Sequence, residues 1–97
     1  MYYQMYRKNV EETLDAIFTK ETDGLEKAGQ MLAQVLENDG LLYVFGCGHS
    51  HMLAEELFYR AGGLAPVYPI FETAAMLHEG AAKSSQIERM SGYAQHV

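Results

Sequence analysis

The stretch Leu41-Leu42-Tyr43-Val44-Phe45-Gly46-Cys47-Gly48-His49-Ser50-His51 decides the fold. Its first five residues form an unbroken apolar run between turn formers, the pattern of a short strand buried on both faces, as in a parallel sheet. Glycines then turn the chain, and helical spacing resumes over 51–61 through Met52, Leu53, Leu57 and Phe58. Strand, glycine turn and helix in this order aim free N–H groups and the positive end of a helix dipole at one point, beyond the carboxyl end of a strand.

Outward from this stretch, Gly62-Gly63 close the helix, and residues 64–70 read as a second strand. Pro66 and Pro69 push that strand toward a sheet edge. Strand, crossover helix and strand make a βαβ unit with the two strands parallel. Upstream, Tyr3, Tyr6, Val10, Leu14, Ile17 and Phe18 recur at helical steps, which predicts a helix over 2–20. Asp23 with Glu26 resembles a capping box, with Thr22 an alternative cap, opening a second helix over 23–37 that Asn38-Asp39-Gly40 stop. Downstream, residues 71–83 read as irregular, and Ser85 with Glu88 predicts a last helix over 86–97. Two strands are few for a doubly wound sheet. The expectation is therefore a fragment of a longer protein, or a sheet completed by a partner chain.

Composition narrows the function classes. Seven basic against 13 acidic residues give a net charge of −6, unfavourable for a nucleic-acid surface. Cys47 is the only cysteine, so no internal disulfide forms, and a cytoplasmic protein is expected. No apolar run suits a signal peptide or a membrane span, so no membrane partner is expected.

Three anion sites compete for the glycine loop. A dinucleotide fingerprint needs a third glycine where His51 stands, and a nucleotide P-loop needs a Gly-Lys pair that the chain lacks. The remaining reading is a phosphate loop in which Gly46, Gly48, His49, Ser50 and His51 hold the anion, with Ser50 both capping the helix and donating to it. The plain alternative is a turn that only joins strand to helix. Cys47 reads as a small buried residue. His49 and His51 have a spacing seen in metal sites, but no third ligand is evident; no metal and no cofactor are expected.

The G-x-G-x-S pattern at Gly46–Ser50, with the longer stretches FGCGHSHMLAEELFYRAGG and MLHEGAAKSS, resembles the sugar isomerase (SIS) domain family. More narrowly it resembles a bacterial group of SIS proteins related to phosphoheptose isomerases. The resemblance covers nearly the whole chain. It implies an α/β fold, the N-terminal part of a three-layer αβα, flavodoxin-like parallel sheet preceded by two helices. It also implies a phosphosugar ligand and a homodimer or larger assembly through the N-terminal helices. Tyr2, Tyr3, Met5 and Tyr6 give the first helix apolar surface suited to that role.

The resemblance has two departures. The family's second phosphate loop, of Ser-x-Ser-Gly type, has no counterpart, since Ser84-Ser85 lacks the glycine and follows no strand. The catalytic Glu of phosphoheptose isomerases falls, counted from Ser50, near Arg60. The candidates for proton transfer in sugar isomerisation are then Glu55, beside Glu56 on the helix behind the loop, and the pair His78-Glu79 beyond the second strand. Each also reads as an ordinary solvated side chain. An isomerase, or a related lyase or etherase, and a sugar-phosphate sensor without chemistry are both compatible with the loop.

Overall fold

A computed structural model describes residues 1–97. Two compact units make up the chain, Met1–Asn38 and Asp39–Val97.

The first unit is helical. Helix α1 spans Tyr2–Lys20 and α2 spans Thr22–Glu37. Only Glu21 separates them. The expected capping box at Asp23 does not form: α2 begins one residue earlier, and the Thr22 hydroxyl donates to the Phe18 carbonyl at 2.6 Å. A hydroxyl reaching back to the preceding turn keeps helical geometry running into the junction, where a cap would have interrupted it. Arg7–Glu11 at 2.7 Å and Lys8–Glu12 at 3.7 Å are exposed i,i+4 pairs, worth little each. No residue of either helix is buried.

The second unit holds the sheet. Strand β1 spans Leu42–Phe45 and β2 spans Val67–Ile70. They run parallel with Leu42 opposite Val67 and Phe45 opposite Ile70. Between them the chain makes a 3₁₀ turn, Gly48–His51, and helix α3, Met52–Leu57. The Leu42 N–H donates to the Pro66 carbonyl at 2.8 Å. Backbone polar groups alternate sides along a strand, so Pro69 turns its missing N–H away from β1, toward the open edge of this two-stranded sheet.

Helix α3 packs on both strands. Ala54 of α3 is fully buried, and Val67 of β2 is buried as well. The strand is not buried on both faces as its sequence suggests. Leu42 and Val44 are half covered, while Tyr43 and Phe45 on the opposite face are exposed. One crossover helix covers one face of a sheet, and the other face shows its aromatics, with the Tyr43 and Tyr68 rings 5.5 Å apart.

Helix α3 is also shorter than its sequence pattern. It ends at Leu57 because Phe58 takes an extended backbone (φ −90°, ψ 133°) and Tyr59 a left-handed one (φ 54°). The Phe58 ring then stands edge-on to Phe71 at 6.3 Å. An aromatic contact across the fold overrides the local helical spacing. Gly62-Gly63, expected as the stop, lie beyond it.

The C-terminal elements correct the sequence reading most. A 3₁₀ turn, Thr73–Ala75, and helix α4, Ala81–Glu88, occupy the region expected to be irregular and the start of the expected last helix. Gly80, at φ 130°, precedes α4, so Ser85 and Glu88 lie inside the helix and form no capping box. The last residues make only a 3₁₀ turn, Tyr93–His96, after left-handed Gly92. What sets α4 is the buried Ser84, whose hydroxyl donates to the Ala75 carbonyl at 2.7 Å.

Candidate functional site

The chain leaves β1 at Phe45 and folds sharply back on Gly46. A Cβ at Gly46 would stand 2.5 Å from the Ser50 carbonyl carbon, 2.6 Å from its oxygen and 2.7 Å from the His51 nitrogen. Only glycine permits that closeness. Gly48 has φ +56° with open space around its Cα, so its left-handed backbone is accessible from outside. The Ser50 N–H donates to the Cys47 carbonyl at 3.0 Å, which removes it from the amides available to a ligand. Amides at the start of a 3₁₀ turn, here Gly48 and His49, have no acceptor inside the turn. Ser50 lies inside that turn and does not cap α3 with its side chain, contrary to expectation. Ser50 is an exposed residue.

Beside the turn lies an open cleft of about 350 Å³, lined by His49, His51, Met52, Glu55, Leu77 and His78. His51, buried, forms its inner wall. Its Nδ1 bonds to the Gly48 carbonyl, which only accepts, so Nδ1 carries a proton. Its Nε2 faces the Glu55 carboxylate at 3.3 Å. Both ring nitrogens are thus engaged within the fold, and His51 has no free N–H for a phosphate. His49, exposed at the rim, keeps its ring free for that purpose. The His78 ring stands edge-on to His51 with centroids 5.4 Å apart.

The acid–base candidates separate. Glu55 and His78 meet across the cleft, one from α3 and one from the segment after β2. Glu79 is not part of the lining. Its carboxylate pairs with Lys83 at 2.7 Å, and hydrogen bonds from Lys83 and then Thr73 hold it below the ordinary carboxylate range. A carboxylate held ionised by its neighbours is a weak base. Glu56 pairs with Arg60 at the surface.

Two features escaped the sequence. The convergence of His51, Glu55 and His78 joins residues 27 positions apart (78 − 51). Only its i,i+4 half, His51 with Glu55, is visible as a pattern. The clasp in which the Tyr93 hydroxyl donates to Glu72 at 2.9 Å, raising the Tyr93 pKa, has no sequence signal.

A SIS domain model matches residues 5–97. The chain belongs to the SIS domain family. Membership agrees with the mixed helix and parallel-strand architecture described above. The chain is 50% identical over 91 residues to a UPF0309 protein of Geobacillus kaustophilus, covering 94% of this chain and 36% of the relative. It is 54% identical over 81 residues to one of Listeria monocytogenes, covering 84% and 33%. A Thermoanaerobacter pseudethanolicus UPF0309 protein is 50% identical over 86 residues, covering 87% and 35%. The chain thus spans about a third of the length of these relatives. No helix is long and apolar enough to cross a membrane.

Proposed function

We propose that this SIS domain binds a phosphosugar with its phosphate at the Gly46–Ser50 turn and its sugar in the cleft beside it. The observation that supports this reading is the closed turn at Gly46, with open space at Gly48 and with His49 and Ser50 exposed beside it. A small anion meets several donors there without a side chain in the way. Replacing Ser50 by Ala removes one donor to a charged acceptor and lowers affinity by about 1.5–3 kcal/mol, roughly ten- to hundredfold. Calorimetry of the full-length protein against hexose and heptose phosphates measures it. Equal affinity of the parent and Ser50→Ala for the best ligand would leave Ser50 outside the site.

The chemistry proposed is aldose–ketose isomerisation. Glu55, half exposed on the cleft wall, moves the proton between adjacent carbons, and His78 opposite assists ring opening. A sensor without turnover is the competing reading. It gains from the departure near Arg60, where the resemblance to phosphoheptose isomerases would put a catalytic Glu. Glu55→Gln distinguishes the two: an isomerase loses turnover and keeps its ligand, and an unchanged rate excludes Glu55 as the base.

The assembly proposed is a homodimer or larger, in the cytoplasm, joined through α1. Tyr2, Tyr3, Met5 and Tyr6 are 60–90% exposed along that helix, an apolar surface that association would cover. Light scattering at high micromolar concentration should give at least twice the monomer mass; a monomer refutes it.

A further inference from the structure

We propose that residues 58–60 form a two-state hinge: helix α3 stops at Leu57 in one state and runs on through Arg60 in the other. The stopped state is the one described above. In it Phe58 is extended, at ψ 133°, and Tyr59 is left-handed, at φ 54°. The left-handed region costs a bulky residue a factor of roughly 5–30 in population. Such strain persists where the surroundings over-determine it. Around Tyr59 they do not, because the residue is 93% exposed.

The parts of the continued helix are already in place. Glu56 and Arg60 pair through two contacts of 3.2 Å. Their i,i+4 spacing, with Glu before the cation, is the one a helix favours, so the pair survives in both states. Gly62 is left-handed, at φ 75°, the conformation of the residue that follows a helix C-cap. Ala61 then becomes the C-cap. Six residues (66 − 60) remain to reach Val67, the start of β2, and helix-to-strand loops commonly take about 2–6.

What opposes continuation is one aromatic contact. The Phe58 ring stands edge-on to Phe71 at 6.3 Å, and Phe58 is still 42% exposed. Such a pair contributes a factor of roughly 2–13 beyond the area it covers. Each residue added to a helix gains a factor of only about 1–1.6. Relief of strain at Tyr59 favours continuation, and the ring contact favours the stop. The two factors overlap, which keeps both states populated. The hinge also controls space. Residues 58–61 wall an open groove of about 550 Å³ together with residues 63–65, and a helix through Arg60 takes that wall away. The inference stands apart from the phosphosugar reading, since no ligand enters its test.

The test is NMR of the full chain, with the Cα shifts of Phe58 and Arg60 as the measure of helix. In the parent they should lie between extended and helical values. Tyr59→Gly relieves the left-handed strain and should move them to the non-helical limit. Tyr59→Ala keeps the strain and adds a good helix former, so it should move them toward the helical one. The ratio of continued to stopped states should differ between these variants by roughly 20–150-fold, the left-handed cost multiplied by the about four- to fivefold lower helix propensity of glycine. Phe71→Ala should act in the direction of Tyr59→Ala. The Tyr59 variants alter an exposed side chain, so they decide the question even where Phe71→Ala unfolds. Equal Phe58 and Arg60 shifts in Tyr59→Gly and Tyr59→Ala overturn the proposal. So does a folded Phe71→Ala protein whose Phe58 keeps the parent's shift.

Discussion

The turn and helix at Gly46–Leu57 and the segment from Glu72 to Tyr93 are built from similar residue types, and they use their polar atoms in opposite ways. In the C-terminal segment the polar side chains close on one another. Ser84 holds the Ala75 carbonyl, Glu79 holds Lys83, and Tyr93 holds Glu72. In the turn, His49 and Ser50 stay exposed, and Glu55 meets His51 at the edge of an open cleft. The first arrangement is a scaffold and the second is a site. A histidine–glutamate pair in sequence says nothing of which it belongs to: His78 joins the cleft, and its neighbour Glu79 is bound to the scaffold.

That contrast is open to mutation, and the largest effect is expected at Gly46. Gly46→Ala places a Cβ against three backbone atoms that no rotamer change can move. Overpacking of this kind costs about 1–3 kcal/mol. It should abolish ligand binding as well, because the turn must open to relieve it. Urea unfolding and calorimetry read the two effects, and a Gly46→Ala protein that binds normally would sever the turn from the site. Next comes Ser84→Ala, which leaves the Ala75 carbonyl without its buried donor. Stability should fall by about 1 kcal/mol, with ligand affinity unchanged; a loss of affinity would show that the scaffold also tunes the cleft.

The smallest effect is expected from Glu79→Gln, which should leave ligand affinity unchanged. The wild-type carboxyl should titrate below its ordinary 4.5, because Lys83 and Thr73 stabilise the ionised form. A folded-state pKa below the unfolded one stabilises the protein above the unfolded pKa, and the contribution fades as pH falls through the folded one. Carboxyl NMR shifts, with Lys83→Ala as the reference, check the direction. If Glu79 is instead a site residue, Glu79→Gln will weaken binding by tenfold or more, the minimum for loss of a contact to a charged group.

The parallel pairing of β1 and β2 was legible because an apolar run, a glycine turn and a second apolar run leave few topologies. The end of α3 was not. Its sequence continues helical spacing through Phe58, and only the contact of that ring with Phe71 explains the extended backbone. The Ser85–Glu88 pair misled for a related reason. Capping boxes are local signals, and here Gly80 and the buried Ser84, tied to Ala75 nine residues upstream, set the start of α4. Within the candidate site, the loop residues were readable from glycine spacing. The meeting of Glu55 with His78 was not, because it depends on where β2 delivers the chain.

The register of the sheet also orders the events of folding. Leu42 pairs with Val67, 25 residues away (67 − 42), so the sheet cannot form until a long loop has closed. The backbone hydrogen bonds of helices α1 and α2 join neighbours in sequence, and such helices form on a scale of about a microsecond or less. The cleft depends on both the turn after β1 and the segment after β2, so it is assembled last. In a pulsed amide-exchange experiment the Leu42 N–H, bonded to Pro66 across the sheet, should gain protection late, together with the site it helps to hold.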